Sequence, residues 1–159
     1  MRHWIAGIAP VVTKVTKLPL SRLVLSGLVL SGLACQGATA KRESAALTEA
    51  VDRYRNAEDA AKSERAQAVL ALACSDTTVC DVKRVCMAAI EPTTKALELK
   101  NEVAQRLNDL DQKKLSPDSP EVAALPEKLD EATRMLQDGR AKMADCDKRL
   151  AELRVQFGG

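Results

Sequence analysis

Cysteine is the residue type in this chain whose spacing could support chemistry. The five cysteines stand at positions 35, 74, 80, 86 and 146. Zinc sites usually pair cysteines two to four residues apart and gather them into one tetrahedral cluster. Three of these cysteines are instead separated by five residues each, and the chain's single histidine lies at position 3. The absence of a C-x-x-C motif also argues against thioredoxin-like chemistry and haem attachment. The spacing therefore favours structural disulfides, and we expect no metal and no cofactor.

Carboxylate pairs such as Asp109 and Asp111 are the other candidates for chemistry. General acid–base catalysis needs groups that converge on a cleft, whereas these lie in stretches of mixed charge. Spacings such as Asp138 to Lys142 are the i,i+4 pairs of a solvated helix face. The sequence also holds no G-x-S-x-G motif and no glycine-rich phosphate loop. We therefore expect that the protein is not an enzyme.

The first 40 residues differ in composition from the rest of the chain. They contain no Asp or Glu, and their four basic residues precede a 12-residue apolar core at positions 23–34. That core would be about 18 Å long as a helix. A bilayer core of about 30 Å needs roughly 20 residues, so a permanent span is the poorer interpretation. The pattern is typical of a cleaved secretory signal.

Two cleavage sites compete at the end of this segment. Residues 31–35, S-G-L-A-C, resemble the lipobox of bacterial lipoproteins. The resemblance implies that residues 1–34 are the signal, that Cys35 is diacylated, and that Gln36 directs the protein to the outer membrane. The alternative is the A-x-A site at residues 38–40. Cleavage after Ala40 would make residues 1–40 the signal and release a soluble protein that begins at Lys41.

Removing either segment reverses the sign of the net charge. The whole chain carries +2, but residues 41–159 hold 20 of its 24 basic residues and all 22 acidic residues, a net charge of −2. This balance argues against a nucleic-acid-binding protein. The remaining four cysteines are an even number, which suits two disulfides in an oxidising compartment. Abundant Ala, Leu and mixed charges with little Gly indicate one all-α domain at 41–159.

Three helices are predicted, over about residues 43–73, 80–114 and 120–157. The third carries apolar residues at alternating spacings of three and four, which is typical of a coiled-coil-like seam, with Gly139 as the exception. The second has a looser version of this stripe, and Pro92 is predicted to kink or divide it. The first is rich in alanine. The predicted fold is an antiparallel three-helix bundle that contains a coiled-coil-like helical hairpin with two disulfides.

Helical geometry favours one disulfide connectivity among the three that four cysteines allow. Folding the second and third helices about residues 117–118 places Cys86 opposite about residue 149, within one turn of Cys146. Bridged cysteines need Cα atoms within about 7 Å. The expected bridges are therefore Cys86–Cys146 between the two helices and Cys74–Cys80 across the first inter-helix loop.

These features predict a non-catalytic helical protein of the bacterial cell envelope, in the outer membrane or periplasm. A lipid at Cys35 would anchor it to the membrane, and its helix surfaces would serve a structural or adaptor role toward an envelope protein or a cell-wall partner. The alternative is a soluble periplasmic or secreted binding protein, chaperone-like or inhibitor-like, released after Ala40. Self-association stays open, because an alanine-rich first helix leaves apolar seam for a second copy.

Overall fold

The computed structural model describes the backbone of residues 32–158 and the side chains of residues 37–158. The predicted signal sequence up to residue 31 and the side chain of Cys35 lie outside this part. Every regular element described is helical, and the all-α prediction is confirmed. No helix there is both long and apolar enough to cross a membrane. The elements are α1 (Gly32–Asn56), a 3₁₀ turn (Asp59–Ala61), α2 (Lys62–Ala71), α3 (Thr77–Asp111), α4 (Pro120–Ala123) and α5 (Leu125–Phe157).

Helices α3 and α5 form the predicted antiparallel hairpin. A disulfide joins Cys86 to Cys146, and Lys128 Nζ lies 2.5 Å from Glu102 Oε1 further along the pair. The disulfide and the ion pair fit one antiparallel register of α3 against α5, because the two residue numbers of each pair have nearly the same sum. Ser119 caps α4 at the turn of the hairpin by accepting a hydrogen bond from the Val122 N–H.

Helix α3 runs through Pro92 as one helix of 35 residues, so the proline does not divide it. Proline lacks an N–H, so the carbonyl of residue 88 loses its helical donor, and side-chain bonds to the two following carbonyls reinforce the same turn. The Thr93 hydroxyl donates to the Ala89 carbonyl and the Thr94 hydroxyl to the Ile90 carbonyl, each over 2.9 Å. These bonds stabilise the turn that contains the proline.

The predicted first helix over about 43–73 is wrong in one respect, because the chain breaks there into α1 and α2. Glu58 is extended, with φ −65° and ψ 156°, between the two helices. The last carbonyl groups of a helix have no partner within it. Lys62 Nζ supplies hydrogen bonds to two of these carbonyls at the end of α1. It donates to the carbonyl of Tyr54 over 2.6 Å and to that of Arg55 over 2.9 Å. The three-helix bundle is therefore not confirmed.

Four helical segments instead share the main core. Helices α1 and α2, the N-terminal half of α3 and the C-terminal half of α5 run alternately up and down, an arrangement we call the base. The direction of α2 follows from its ends: the Ser63 hydroxyl donates to Glu98 Oε1, and Lys83 Nζ donates to the Leu70 carbonyl. The largest buried side chains of the base include Leu47, Val51, Tyr54, Val69, Val79, Ile90, Leu150 and Leu153.

Beyond Glu98, α3 and α5 continue as a two-helix extension, residues 99–135, which we call the arm. Its buried residues follow the seam between the helices: Val103, Leu125 and Ala132. Leu107 and Leu129 are 45% and 41% exposed, because two helices cover less surface than four. The arm extends about 20 Å past the base at 1.5 Å per residue.

Candidate binding surfaces

The four cysteines described form two disulfides with different exposure. Cys86 and Cys146 are completely buried, with Cα atoms 4.7 Å apart. Cys74 and Cys80 are partly exposed, with Cα atoms 5.4 Å apart. This is the pairing that the helical register favoured. Two disulfides indicate an oxidising compartment outside the cytoplasm. Within the described residues, no group of three or more His, Cys, Asp or Glu side chains is placed to hold a metal ion.

The Glu43 carboxylate of α1 binds the loop between α2 and α3, a contact that we call the Glu43 clasp. Its carboxylate accepts hydrogen bonds from the Ser75 N–H at 2.9 Å, the Ser75 hydroxyl at 2.6 Å and the Asp76 N–H at 3.1 Å. The hydroxyl bond, followed by the two backbone bonds, holds the pKa of Glu43 below its ordinary value. Asp76 in turn caps α3 by accepting from the N–H groups of Thr78 and Val79. These bonds fix the base at the end where α3 begins.

A groove of about 580 Å³ lies on the outer surface of the base, between α1 and the end of α5. Its α1 residues recur at alternating spacings of three and one from Lys41 to Asn56, so they share one helix face about 22 Å long. Arg154 and Phe157 of α5 form the opposite wall, and most of the lining surface is apolar. We call this the α1–α5 groove. Its lining residues are Lys41, Ser44, Ala45, Thr48, Glu49, Asp52, Arg53, Asn56, Arg154 and Phe157.

Charges along the α1–α5 groove are paired at all but one position. Arg53 lies 2.6 Å from Glu49 along α1, and Arg154 of α5 lies 3.1 Å from Asp52. Lys41 is exposed and makes no ion pair within the described part of the chain. Its Nζ lies next to Gly158, where α5 ends.

Thr48, one of the lining residues, carries a polar atom that has no hydrogen-bond partner in the described part of the chain. Thr48 Oγ1 is buried and makes no hydrogen bond. Buried hydroxyl groups in proteins nearly always have a partner, and an unsatisfied one destabilises the fold. Ser44, one turn earlier on the same face, is 4% exposed. The groove thus combines a mostly apolar lining with one exposed lysine, whereas the Thr48 hydroxyl is closed off from solvent.

The arm offers a second surface of different character. A shallow cavity of about 380 Å³ lies where α3, α4 and α5 meet, and the Glu102–Lys128 ion pair lies on one side of it. The hydrogen bond from Lys128, with its charge, holds the pKa of the Glu102 carboxyl below its ordinary value. The exposed Leu107 and Leu129 lie on the same two helices. Mixed charges and isolated leucines suit a protein surface better than a small-molecule pocket.

The structure also bears on the two predicted cleavage sites. Residues 38–40, the predicted A-x-A site, lie inside α1, and Ala40 is 2% exposed in the base. The α1–α5 groove was missed by sequence reasoning. The run of small residues at 44, 45 and 48 is visible in the sequence, but the groove depends on how α1 crosses the end of α5.

Comparisons with protein-family models, with curated proteins and with solved structures found no match to this chain.

Proposed function

We propose that this protein is a non-catalytic module of the bacterial cell envelope, anchored through a lipid on Cys35, that presents its arm to a partner at a distance from the membrane. The burial of Ala40 is the observation that carries the proposal. Ala40 lies five positions after Cys35, and even a fully extended chain of that length spans about 17 Å. A lipid on Cys35 would therefore hold the base close to the bilayer.

The same observation weighs against release after Ala40, the runner-up function of a soluble binding protein. Cleavage there would remove a residue that is only 2% exposed in the folded protein. It would also place a new ammonium group at the first turn of α1, where the helix dipole disfavours positive charge. Retention of residues 35–40 avoids both effects, which supports lipidation at Cys35 and the envelope location.

The shape of the hairpin supports an adaptor role. The turn at residues 112–119 lies at the far end of α3, about 50 Å from the start of that helix at 1.5 Å per residue. With the base at the membrane, the arm would reach an envelope protein or a cell-wall polymer beyond the lipid headgroups. Its exposed leucines and mixed charges suit contact with a protein partner.

Two measurements test this proposal. The intact mass of the mature N-terminus distinguishes acylated Cys35 from a free Lys41, and a free Lys41 would refute the anchor. Site-specific crosslinking in the native envelope then compares a photoreactive residue at Leu107 of the arm with one at Leu70 of the base, which is 49% exposed. We expect a partner crosslinked from position 107 that is lost in Cys35→Ala. An identical partner yield in that variant would refute the tethered adaptor.

A further inference from the structure

We propose that a second copy of this chain packs against the outer face of α5 and forms a weak antiparallel dimer. This inference goes beyond the proposed function, because it requires neither the lipid on Cys35 nor an envelope partner. It is based on an exposed stripe of α5 and on four unpaired charges that complement one another when two copies run in opposite directions.

Helix α5 carries a second stripe, on the side away from its buried seam with α3. The members recur at alternating spacings of four and three residues, five positions after those of the seam, so they share one helix face about 38 Å long. Every member is exposed. We call this the outer stripe, and its residues are Asp130, Arg134, Gln137, Ala141, Ala144, Lys148, Ala151 and Val155.

The apolar members of the outer stripe suit contact with another helix. Val155 is 86% exposed, more than any other large apolar side chain in the described part of the chain. A single exposed apolar residue is normal, but Val155 continues the spacing of Ala141, Ala144 and Ala151. Apolar residues at this spacing are typical of a helix–helix seam. Alanine also lets a second helix approach closely, because the distance between packed helices depends on the side chains at the contact.

Four charged side chains on or beside the outer stripe have no partner in their own chain. Asp130 and Arg134 near its start, and Asp145 and Lys148 nearer its end, make no ion pair or side-chain hydrogen bond among the described residues. Most other charges of α5 do form ion pairs within the chain: Lys128, Asp138, Lys142, Asp147, Arg149, Glu152 and Arg154. The outer stripe thus leaves charges of both signs for another molecule.

The order of these four charges fits a second copy that runs in the opposite direction. A two-fold axis near residue 139 places Asp130 opposite Lys148 of the second copy and Arg134 opposite its Asp145, because the two residue numbers of each pair have nearly the same sum. The symmetry repeats both contacts, which gives four ion pairs in one register. A parallel copy would instead place Asp130 opposite Asp130 and Lys148 opposite Lys148. Charge therefore selects the antiparallel arrangement.

The contact is small, so the dimer should form only at high protein concentration. Residues 125–153 of the two copies overlap in this register, over about 42 Å, and a helix face about 10 Å wide then buries about 900 Å² in total. Stable complexes usually bury about 1,200–2,000 Å², and smaller contacts are weak and reversible. Val155 lies opposite the exposed Ala123 of the second copy, whereas Arg140 lies beside the axis in both copies and adds repulsion.

Sedimentation equilibrium of the full chain tests the proposal, in a density-matched detergent with both disulfides intact. We expect a monomer at about 1 μM and a growing fraction of dimer above about 100 μM, as suits a contact of this size. Raising the salt concentration should weaken the dimer, because exposed ion pairs are screened. A monomer at every concentration up to about 1 mM would overturn the proposal.

Charge reversal tests the register. Asp130→Lys and Lys148→Glu each turn two attractive contacts into repulsive ones, so each should weaken the dimer about tenfold or more at low salt. Combining both substitutions in one chain restores opposite charges at the same positions, and this double variant should dimerise within about threefold of the wild type. An Asp130→Lys variant that dimerises like the wild type, or a folded double variant that stays monomeric, would overturn the proposal.

Matched controls lie on α3, away from the outer stripe. Lys100→Glu and Asp111→Lys reverse exposed charges there and should leave the dissociation constant of the dimer unchanged. Ala141→Trp places a bulky ring at the centre of the contact and should abolish the dimer, whereas Ala104→Trp should not. Circular dichroism establishes that each variant is folded, which exposed positions favour. Equal effects of the two tryptophan substitutions would overturn the proposal.

Discussion

At the scale of single residues, Gly139 sets the distance between the two longest helices. A Cβ atom added there would lie 2.1 Å from Thr93 Oγ1 and 3.0 Å from the Ala89 carbonyl oxygen. Real Cβ atoms do not approach other atoms so closely, so any larger residue would push α3 and α5 apart. The position interrupts the apolar stripe of the sequence, but α3 packs so closely against it that no side chain fits.

We therefore predict that Gly139→Ala destabilises the protein by about 1–3 kcal/mol, the usual cost of overpacking a core. Alanine has the better helix propensity, so any loss must come from the contact with α3. The free energy of unfolding, measured by denaturant titration with both disulfides intact, checks this. Adding Thr93→Ala should recover part of the loss, since it removes the nearest atom.

Gly37→Ala is the matched control, because a Cβ atom at this helical and exposed glycine meets nothing within 4 Å. There the helix propensity should act alone and stabilise the protein by up to about 1 kcal/mol. Equal effects of the two substitutions would contradict a steric role for Gly139.

At the scale of elements, the Glu43 clasp predicts a pH dependence of stability. The folded state lowers the pKa of Glu43 below its ordinary value of 4.5, so the unfolded state binds the proton more readily. The stabilisation is therefore present above about pH 4.5 and is lost as the pH falls through the lower folded-state pKa. Glu43→Gln should unfold at a lower temperature than the wild type at pH 7, and the difference should shrink toward pH 2.

Thermal unfolding followed by circular dichroism across this pH range measures the effect. Glu91→Gln is the control, because the Glu91 side chain is exposed on α3 and makes no ion pair or hydrogen bond in the described part of the chain. A constant difference between Glu43→Gln and the wild type at every pH would contradict the clasp.

The two disulfides should contribute unequally to stability. In the chain-entropy model a bridge that closes 60 residues contributes about 4 kcal/mol, and one that closes six contributes about 2 kcal/mol. Replacing Cys86 and Cys146 by alanine should therefore cost more than replacing Cys74 and Cys80. Denaturant unfolding of the two double variants measures this difference, and the reverse order would contradict it.

The same elements predict which disulfide is reduced first. An attacking thiolate can reach the partly exposed Cys74–Cys80 bridge, whereas Cys86 and Cys146 are closed off until the base opens. We expect dithiothreitol under native conditions to free Cys74 and Cys80 for alkylation well before the other pair. Peptide mapping by mass spectrometry reads out both rates. Simultaneous loss of the two bridges would contradict the burial of the second.

What the sequence predicts well is the pairing of α3 with α5. Their apolar stripes run long enough to define a register, and that register selected the Cys86–Cys146 pair. The break between α1 and α2 was not predicted, because alanine-rich sequence has high helix propensity throughout. The break is stabilised by Lys62, which bonds to carbonyls seven and eight residues earlier only after the chain has turned. The α1–α5 groove was equally hidden, since its walls come from opposite ends of the described chain.

At the scale of the whole molecule, the described residues form two parts, the base and the arm, which we expect to differ in local stability. The main apolar cluster draws on all four segments of the base and contains both cysteines of the buried disulfide. The arm relies on one seam between two helices. A partner that binds the arm would thus meet the part of the protein that opens most readily, which lets the arm adapt without loss of the base.

This division predicts a gradient of amide hydrogen exchange along α3 and α5. Backbone amides at residues 82–90 and 146–153 should be protected nearly to the global free energy of unfolding, because four helices and a disulfide enclose them. Amides at 104–111 and 125–132 should exchange faster by local opening of the arm. Exchange followed by mass spectrometry at neutral pH, with the disulfides intact, measures both sets. If the arm were as well protected as the base, a second copy or a bound partner would have to cover its seam, and exchange at several protein concentrations would reveal self-association.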